Sequence, residues 1–270
     1  MRTTIRRAGA AAVTVMALAA PLGTGAAAAT GSEPGEAAWV TVGAAPPGST
    51  LETVRGTKDE AGNCVFTLSL TLAPKETAVR GDQVRVDRST CVTEVALTRD
   101  GAASEAKASD GVSVETEKAR PAPDGPASDT PRDGRRPYTE SRGYLRTSWR
   151  DRSDADANGV RNEVDWYWNG QNCLVPEWGQ YAYDWASARG WRLGRHDWRN
   201  IYNCSRQTSS SAAHFHNDGV FCPGLATDVH YDRNTVQGTW DGRLLGEWRT
   251  WVSGGCTGDL SFHYELRRTL

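Results

Sequence analysis

The sequence predicts an all-β protein: a small N-terminal β unit closed by a disulfide, a disordered linker, and a C-terminal Trp-rich β-sandwich or barrel. Three observations carry this. Apolar and polar residues alternate in Val65-Phe66-Thr67-Leu68-Ser69-Leu70-Thr71-Leu72 and again in Gln83-Val84-Arg85-Val86, the period of a half-buried strand. Turn dipeptides punctuate the last half of the chain at Asn158-Gly159, Asn169-Gly170, Asp218-Gly219, Pro223-Gly224, Asp241-Gly242 and Gly254-Gly255. The runs between them are β-branched and aromatic, as hairpins require.

Taken in order, residues 1–29 read as a signal peptide. Arg2, Arg6 and Arg7 precede an apolar stretch from Ala8 to Leu22, and Ala27-Ala28-Ala29 offers a small-residue cleavage site. That stretch is shorter than the roughly 20 apolar residues of a membrane span, and no later stretch is long and apolar enough for one. The expectation is a secreted, extracellular protein without a membrane span. Its formal net charge of −2 provides no field that collects nucleic acid.

Residues 30–48 read as a flexible N-terminal segment and residues 49–99 as the small β domain, with turns at Ala73-Pro74-Lys75 and Gly81-Asp82. Arg80-Gly81-Asp82 reads as a plain turn rather than an adhesion signal. Residues 100–137 contain no aromatic residue, leucine or isoleucine, so they cannot offset the entropy of ordering and read as a disordered linker. The linker ends at Arg135-Arg136, a site for trypsin-like cleavage that would make the first domain a propeptide. Residues 138–270 form the Trp-rich β domain, with Asp241-Gly242 as its clearest hairpin turn and Tyr181 to Arg189, closed by Gly190, as the one short helix.

The six cysteines are Cys64, Cys91, Cys173, Cys204, Cys222 and Cys256, an even number in an exported chain. The simplest pairing joins sequence neighbours, Cys64 with Cys91, Cys173 with Cys204, and Cys222 with Cys256. The last four nonetheless allow three connectivities.

Three groups of residues are candidates for chemistry. On a strand Trp166 and Trp168 share one face and would form a flat platform for sugar rings, while Trp248 and Trp251 face opposite sides. His214-Phe215-His216 puts two imidazoles on one strand face, and Asp228-Val229-His230 places a carboxylate with an imidazole. If these segments pair as a hairpin through Pro223-Gly224, the set His214, His216, Asp228 and His230 makes a first shell for zinc or another divalent metal. Asp154, Asp156 and Asn158, with Gly159 at the sixth place and Asp165 at the twelfth, resemble the calcium loop of EF-hand and dockerin proteins. The resemblance implies calcium held by these oxygens, although Val164-Asp165-Trp166-Tyr167-Trp168 reads as strand where that family has helix.

No G-x-S-x-G, H-E-x-x-H, phosphate-binding glycine loop or dinucleotide fingerprint is present. The leading expectation is therefore a secreted binding or interaction protein recognising polysaccharide or another exported protein through Trp166 and Trp168. The alternatives are a secreted metal-dependent hydrolase using the His/Asp cluster, and a toxin or inhibitor released from a propeptide.

Overall fold

The computed structural model describes residues 39–99, 112–118 and 136–270. The expected signal peptide, the start of the segment 30–48, and linker residues 100–111 and 119–135 lie outside the described residues.

The strands are β1 (Val40–Thr41), β2 (Thr50–Arg55), β3 (Thr57–Lys58), β4 (Cys64–Leu72), β5 (Ala78–Asp87), β6 (Val92–Arg99), β7 (Val112–Lys118), β8 (Thr139–Arg150), β9 (Asp156–Trp168), β10 (Val175–Ala186), β11 (Trp191–Asn203), β12 (Arg206–Asn217), β13 (Thr227–Thr239), β14 (Leu244–Gly254) and β15 (Ser261–Arg268). They build two antiparallel sheets. The first runs β2-β6-β5-β15-β8-β9-β10-β7 with β1 beside β5, and the second runs β11-β12-β13-β14-β4-β3. Among the described residues no helix is long and apolar enough to cross a membrane.

The sheets face each other across a core that includes Trp149, Trp166, Trp191, Trp248, Phe262 and Tyr264. With few Leu and Ile to fill the interior, tryptophan supplies the volume, and its N–H then needs a partner. Trp149 Nε1 donates to Thr250 Oγ1 at 2.8 Å. A buried polar ladder ties the layers together: Asn162 Nδ2 donates to Ser211 Oγ at 2.7 Å and to the Asn234 carbonyl at 2.8 Å, and Asn234 Nδ2 donates to the Val160 carbonyl at 2.9 Å. Buried hydrogen bonds of this kind favour one register between the layers.

The two expected folded bodies are one. Residues 49–99 supply strands to both sheets: β4 lies beside β14, with Leu72 opposite Leu244, and β5 lies beside β15, with Arg80 opposite Glu265. The described residues from both segments belong to one compact unit. Alternation identifies a strand and its two faces but not its partner, so local sequence could not reveal this pairing. Within the expected linker, β7 pairs with β10.

Three smaller expectations change as well. Arg80-Gly81-Asp82 is no turn but lies inside β5. Gly81 is needed there because a Cβ would sit 2.1 Å from Cζ of Tyr264. Asn158-Gly159 likewise lies inside β9, where a Cβ on Gly159 would come within 2.4 Å of Asp184 Oδ1. A glycine inside a strand often marks such a close approach. The segment from Tyr181 to Arg189 is mostly β10, and only Ser187–Arg189 forms a 3₁₀ turn before Gly190 at φ 81°.

All three disulfides join sequence neighbours: Cys64–Cys91, Cys173–Cys204 and Cys222–Cys256. In the β5–β6 turn, which carries Cys91, Asp87 accepts hydrogen bonds from the hydroxyls of Ser89 and Thr90, at 2.6 and 2.7 Å. Those of Ser89, then those of Thr90, hold its carboxyl down at about 2. An unfolded aspartate ionises near about 3.9, so this turn contributes stability above about pH 4 that is lost as pH falls through about 2. Chemical unfolding of Asp87→Ala is expected to show a shallower acid limb between those values than the parent chain; identical limbs would remove Asp87 from the account.

Candidate metal centre

Along β12, from Arg206 to Asn217, burial alternates without interruption. Gln207, Ser209, Ser211, Ala213, Phe215 and Asn217 point inward, leaving His214 and His216 on the outer face. Residues 218–226 turn the chain back. The Asn217 side chain accepts from the N–H groups of Val220 and Phe221, both at 2.9 Å, Gly219 and Gly224 take positive φ, and Cys222–Cys256 pins the loop beyond the end of β14. The resulting hairpin sets His214 opposite His230 and His216 opposite Asp228. All four nominated side chains therefore share one half-exposed face.

His214 Nε2 is 2.7 Å from Asp228 Oδ1, and His216 Nδ1 is 2.8 Å from the same oxygen. One ligand atom each from His214, Asp228 and His230 lie within 4.8 Å of one another. His216 stands outside that trio. Its Nε2 is 2.6 Å from Asp218 Oδ1, so both ring nitrogens are engaged by carboxylates and the residue orients Asp228 instead of offering a lone pair. A hydrogen bond of this kind to a ligating group fixes its direction and basicity.

Electrostatics separates the imidazoles. The hydrogen bond to Asp228, then that to Asp218, raises the pKa of His216 and favours its cation. Burial works against ionisation of Asp228, but the hydrogen bonds from His216 and His214 outweigh it and hold the carboxyl low. Burial, then the neighbouring His214, pushes His230 down to about 4. His230 is thus neutral near pH 7, the form in which imidazole binds a metal. Its ring stacks on Trp251 at 3.6 Å and on His214 at 4.4 Å, which fixes its position.

Two other candidate sites are not formed. Trp166 is fully buried and donates from Nε1 to the Thr239 carbonyl at 3.0 Å. Trp168 is half-buried, donates to Ser141 Oγ at 3.0 Å, and lies so close over Gly242 that a Cβ there would be 2.3 Å away. The second sheet covers this face of β9, so the pair is core and not a platform. Trp166→Ala is expected to cost about 3–5 kcal/mol of stability, as large-to-small core substitutions do. Guanidinium unfolding checks this, and a change under about 1 kcal/mol would contradict the burial.

The calcium loop is also absent. Asp156 begins β9 and Asp165 lies near its end, about 30 Å away at about 3.3 Å per residue. Their side chains have other partners: Asp154 pairs with Arg150 at 3.2 Å, Asp156 with Arg146 at 2.6 Å, and Asp165 with Arg142 at 2.7 Å. Asn158 is buried and accepts from the Tyr231 hydroxyl at 2.9 Å. An extended strand after the acidic turn prevents these oxygens from converging.

Sequence reasoning missed Trp251 and Asp218. Counting back from the Asp241-Gly242 turn puts Tyr231 opposite Trp251, whereas a register shift between Tyr231 and Arg233 puts His230 there. Only the paired structure reveals that bulge. Asp218 stands in a turn dipeptide, and its spacing two residues from His216 is the signal that was present. No protein-family model, curated protein or solved structure matches the chain.

Proposed function

We propose that this is a secreted, metal-dependent binding protein in which His214, Asp228 and His230 hold a zinc-class divalent ion and His216 orients Asp228. The observation that carries the reading is the convergence of two imidazoles and one carboxylate within 4.8 Å on one face of a sheet. Two nitrogens and one oxygen suit zinc and its transition-metal neighbours, whereas calcium takes all-oxygen shells. With bonds of about 2.0–2.2 Å, rotations of His214 and Asp228 toward the stacked His230 would bring the trio onto one ion. Three protein ligands leave a coordination position open toward solvent, where an oxygen of a bound ligand enters. The paired cysteines accord with export to an oxidising compartment.

A second reading, the metal-dependent hydrolase, rests on that same open position, since a metal-bound water there becomes a nucleophile. Release of a toxin or inhibitor loses support because residues 49–99 contribute strands to both sheets. Cleavage at Arg135-Arg136 leaves the two pieces joined by pairing.

Equilibrium dialysis against zinc tests the proposal. The parent chain is expected to retain one equivalent, and His214→Ala and His230→Ala to lose affinity by at least about 100-fold, a loss of about 2.7 kcal/mol. Retention unchanged in both variants overturns the site. Zinc-dependent turnover of ester, peptide or glycoside probes by the loaded chain decides for the hydrolase.

A further inference from the structure

The second sheet carries another feature on the face that holds the metal centre. Register shifts occur close together in three neighbouring pairs, between Leu193 and His196, between Ser211 and Ala213, and between Tyr231 and Arg233. The extra residues lie on β11 and on β13, the irregularity at Asp232 being shared by both pairings of β13; bulges bend a strand and increase its twist, and these two flank β12 beneath a groove on the outer face. The groove occupies about 370 Å³ and spans β11 to β14, with Arg199, Ser210, Asp232, Arg233, Thr235 and Glu247 among its walls and floor.

We propose that this trench binds a neutral, hydroxyl-rich polysaccharide chain, one unit of which places its oxygens at the open position of the metal. The inference rests on the metal reading above and adds the class of ligand.

Charge decides against a polyanion. Arg233 pairs with Glu247 at 2.7 Å, Arg199 faces Asp197 at 3.7 Å, and Asp232 faces Arg249, just beyond the lining, at 3.4 Å, so each charge of the walls already has a partner of opposite sign. The floor is a hydroxyl pair, Ser210 with Thr235, 2.7 Å apart. Such surfaces offer both donors and acceptors without net charge, which suits sugar hydroxyls. A peptide with apolar anchors would find little here, since Ile201 is the one large aliphatic side chain of the lining.

Length and continuity point the same way. Outer positions on β12 run from Thr208 to His214, about 20 Å at about 3.3 Å per residue, enough for an oligosaccharide and more than a single sugar needs. At one end Ala212 and Asp232 line the groove, each two residues from a metal ligand, His214 and His230. Asp232 also accepts from Trp251 Nε1 at 3.3 Å, so the junction between trench and metal is held by the ring that stacks on His230.

Affinity electrophoresis of the full chain tests this, in gels containing soluble β-glucan, xylan or galactomannan, with zinc and with chelator. The zinc-loaded parent is expected to be retarded by at least one of them. Ser210→Trp, which fills the trench, abolishes retardation, and Arg199→Ala, an exposed and fold-neutral change, weakens it about tenfold, while both retain zinc in dialysis. Retained zinc with no retardation in any gel overturns the trench and leaves the metal site standing. Retardation of Ser210→Trp equal to the parent also overturns it. Retardation unchanged by chelator and by His214→Ala overturns the metal's part in binding.

Discussion

Expressed without the N-terminal strands, residues 136–270 will fail to fold. The chain then lacks β4, the neighbour of β14, and β5, the neighbour of β15. It also loses Phe66, Leu70, Leu72, Val79, Val86, Val95 and Leu97 from the shared core. Each such side chain contributes about 1.5–3 kcal/mol by burial, and together, at about 10–20 kcal/mol, they match the whole of the roughly 5–15 kcal/mol that holds a domain folded. Phe262 would also lose the ring of Phe66, which now lies 5.6 Å from its own. Near-ultraviolet circular dichroism and a thermal scan check the outcome: no sharp aromatic signal and no cooperative transition are expected. A cooperative transition like that of the full chain would show that the C-terminal strands are an independent domain after all.

Zinc will raise the unfolding temperature of the full chain, and the rise will vanish in His214→Ala and His230→Ala. A ligand that binds only the folded form at 100 times its dissociation constant stabilises by about 2.7 kcal/mol. For a chain of this size that corresponds to about 5–10 °C. Because all six cysteines are in disulfides, no thiol offers the unfolded chain a competing zinc site. His214 is half-exposed but bonds to Asp228 and stacks on His230, so its removal should lower unliganded stability by about 0.5–1.5 kcal/mol, without unfolding the chain. His216→Ala should lower zinc affinity about 10- to 100-fold, the usual cost of losing the hydrogen bond that orients a ligand, without abolishing it. An equal zinc-induced rise in all four proteins would place the ion elsewhere.

The His/Asp cluster was legible because it depends on short-range rules. Period-two alternation put His214 beside His216, and Pro223-Gly224 announced the hairpin that brought Asp228 and His230 opposite. The division of labour was not legible: His216 reads as a ligand until Asp218 is seen on its far nitrogen. Long-range pairing was hidden too, since nothing near Leu72 says that Leu244 will lie beside it. The same limit explains Trp166. Its face of β9 was identifiable, but whether that face meets water or another sheet is decided by β13 and the turn after it. Glycine signals were ambiguous for a physical reason. Gly242 serves a turn at φ 79°, while Gly81 makes room for Tyr264, and sequence does not distinguish the two uses.

X-ray absorption at the zinc edge, on the full chain loaded with one equivalent, tests the central claim most directly. A shell of two imidazoles and one or two oxygens at about 2.0–2.2 Å, reduced to one imidazole in His230→Ala, is the result this structure predicts. An all-oxygen shell, or the same two imidazoles in the variant, would show that His214, Asp228 and His230 do not hold the ion.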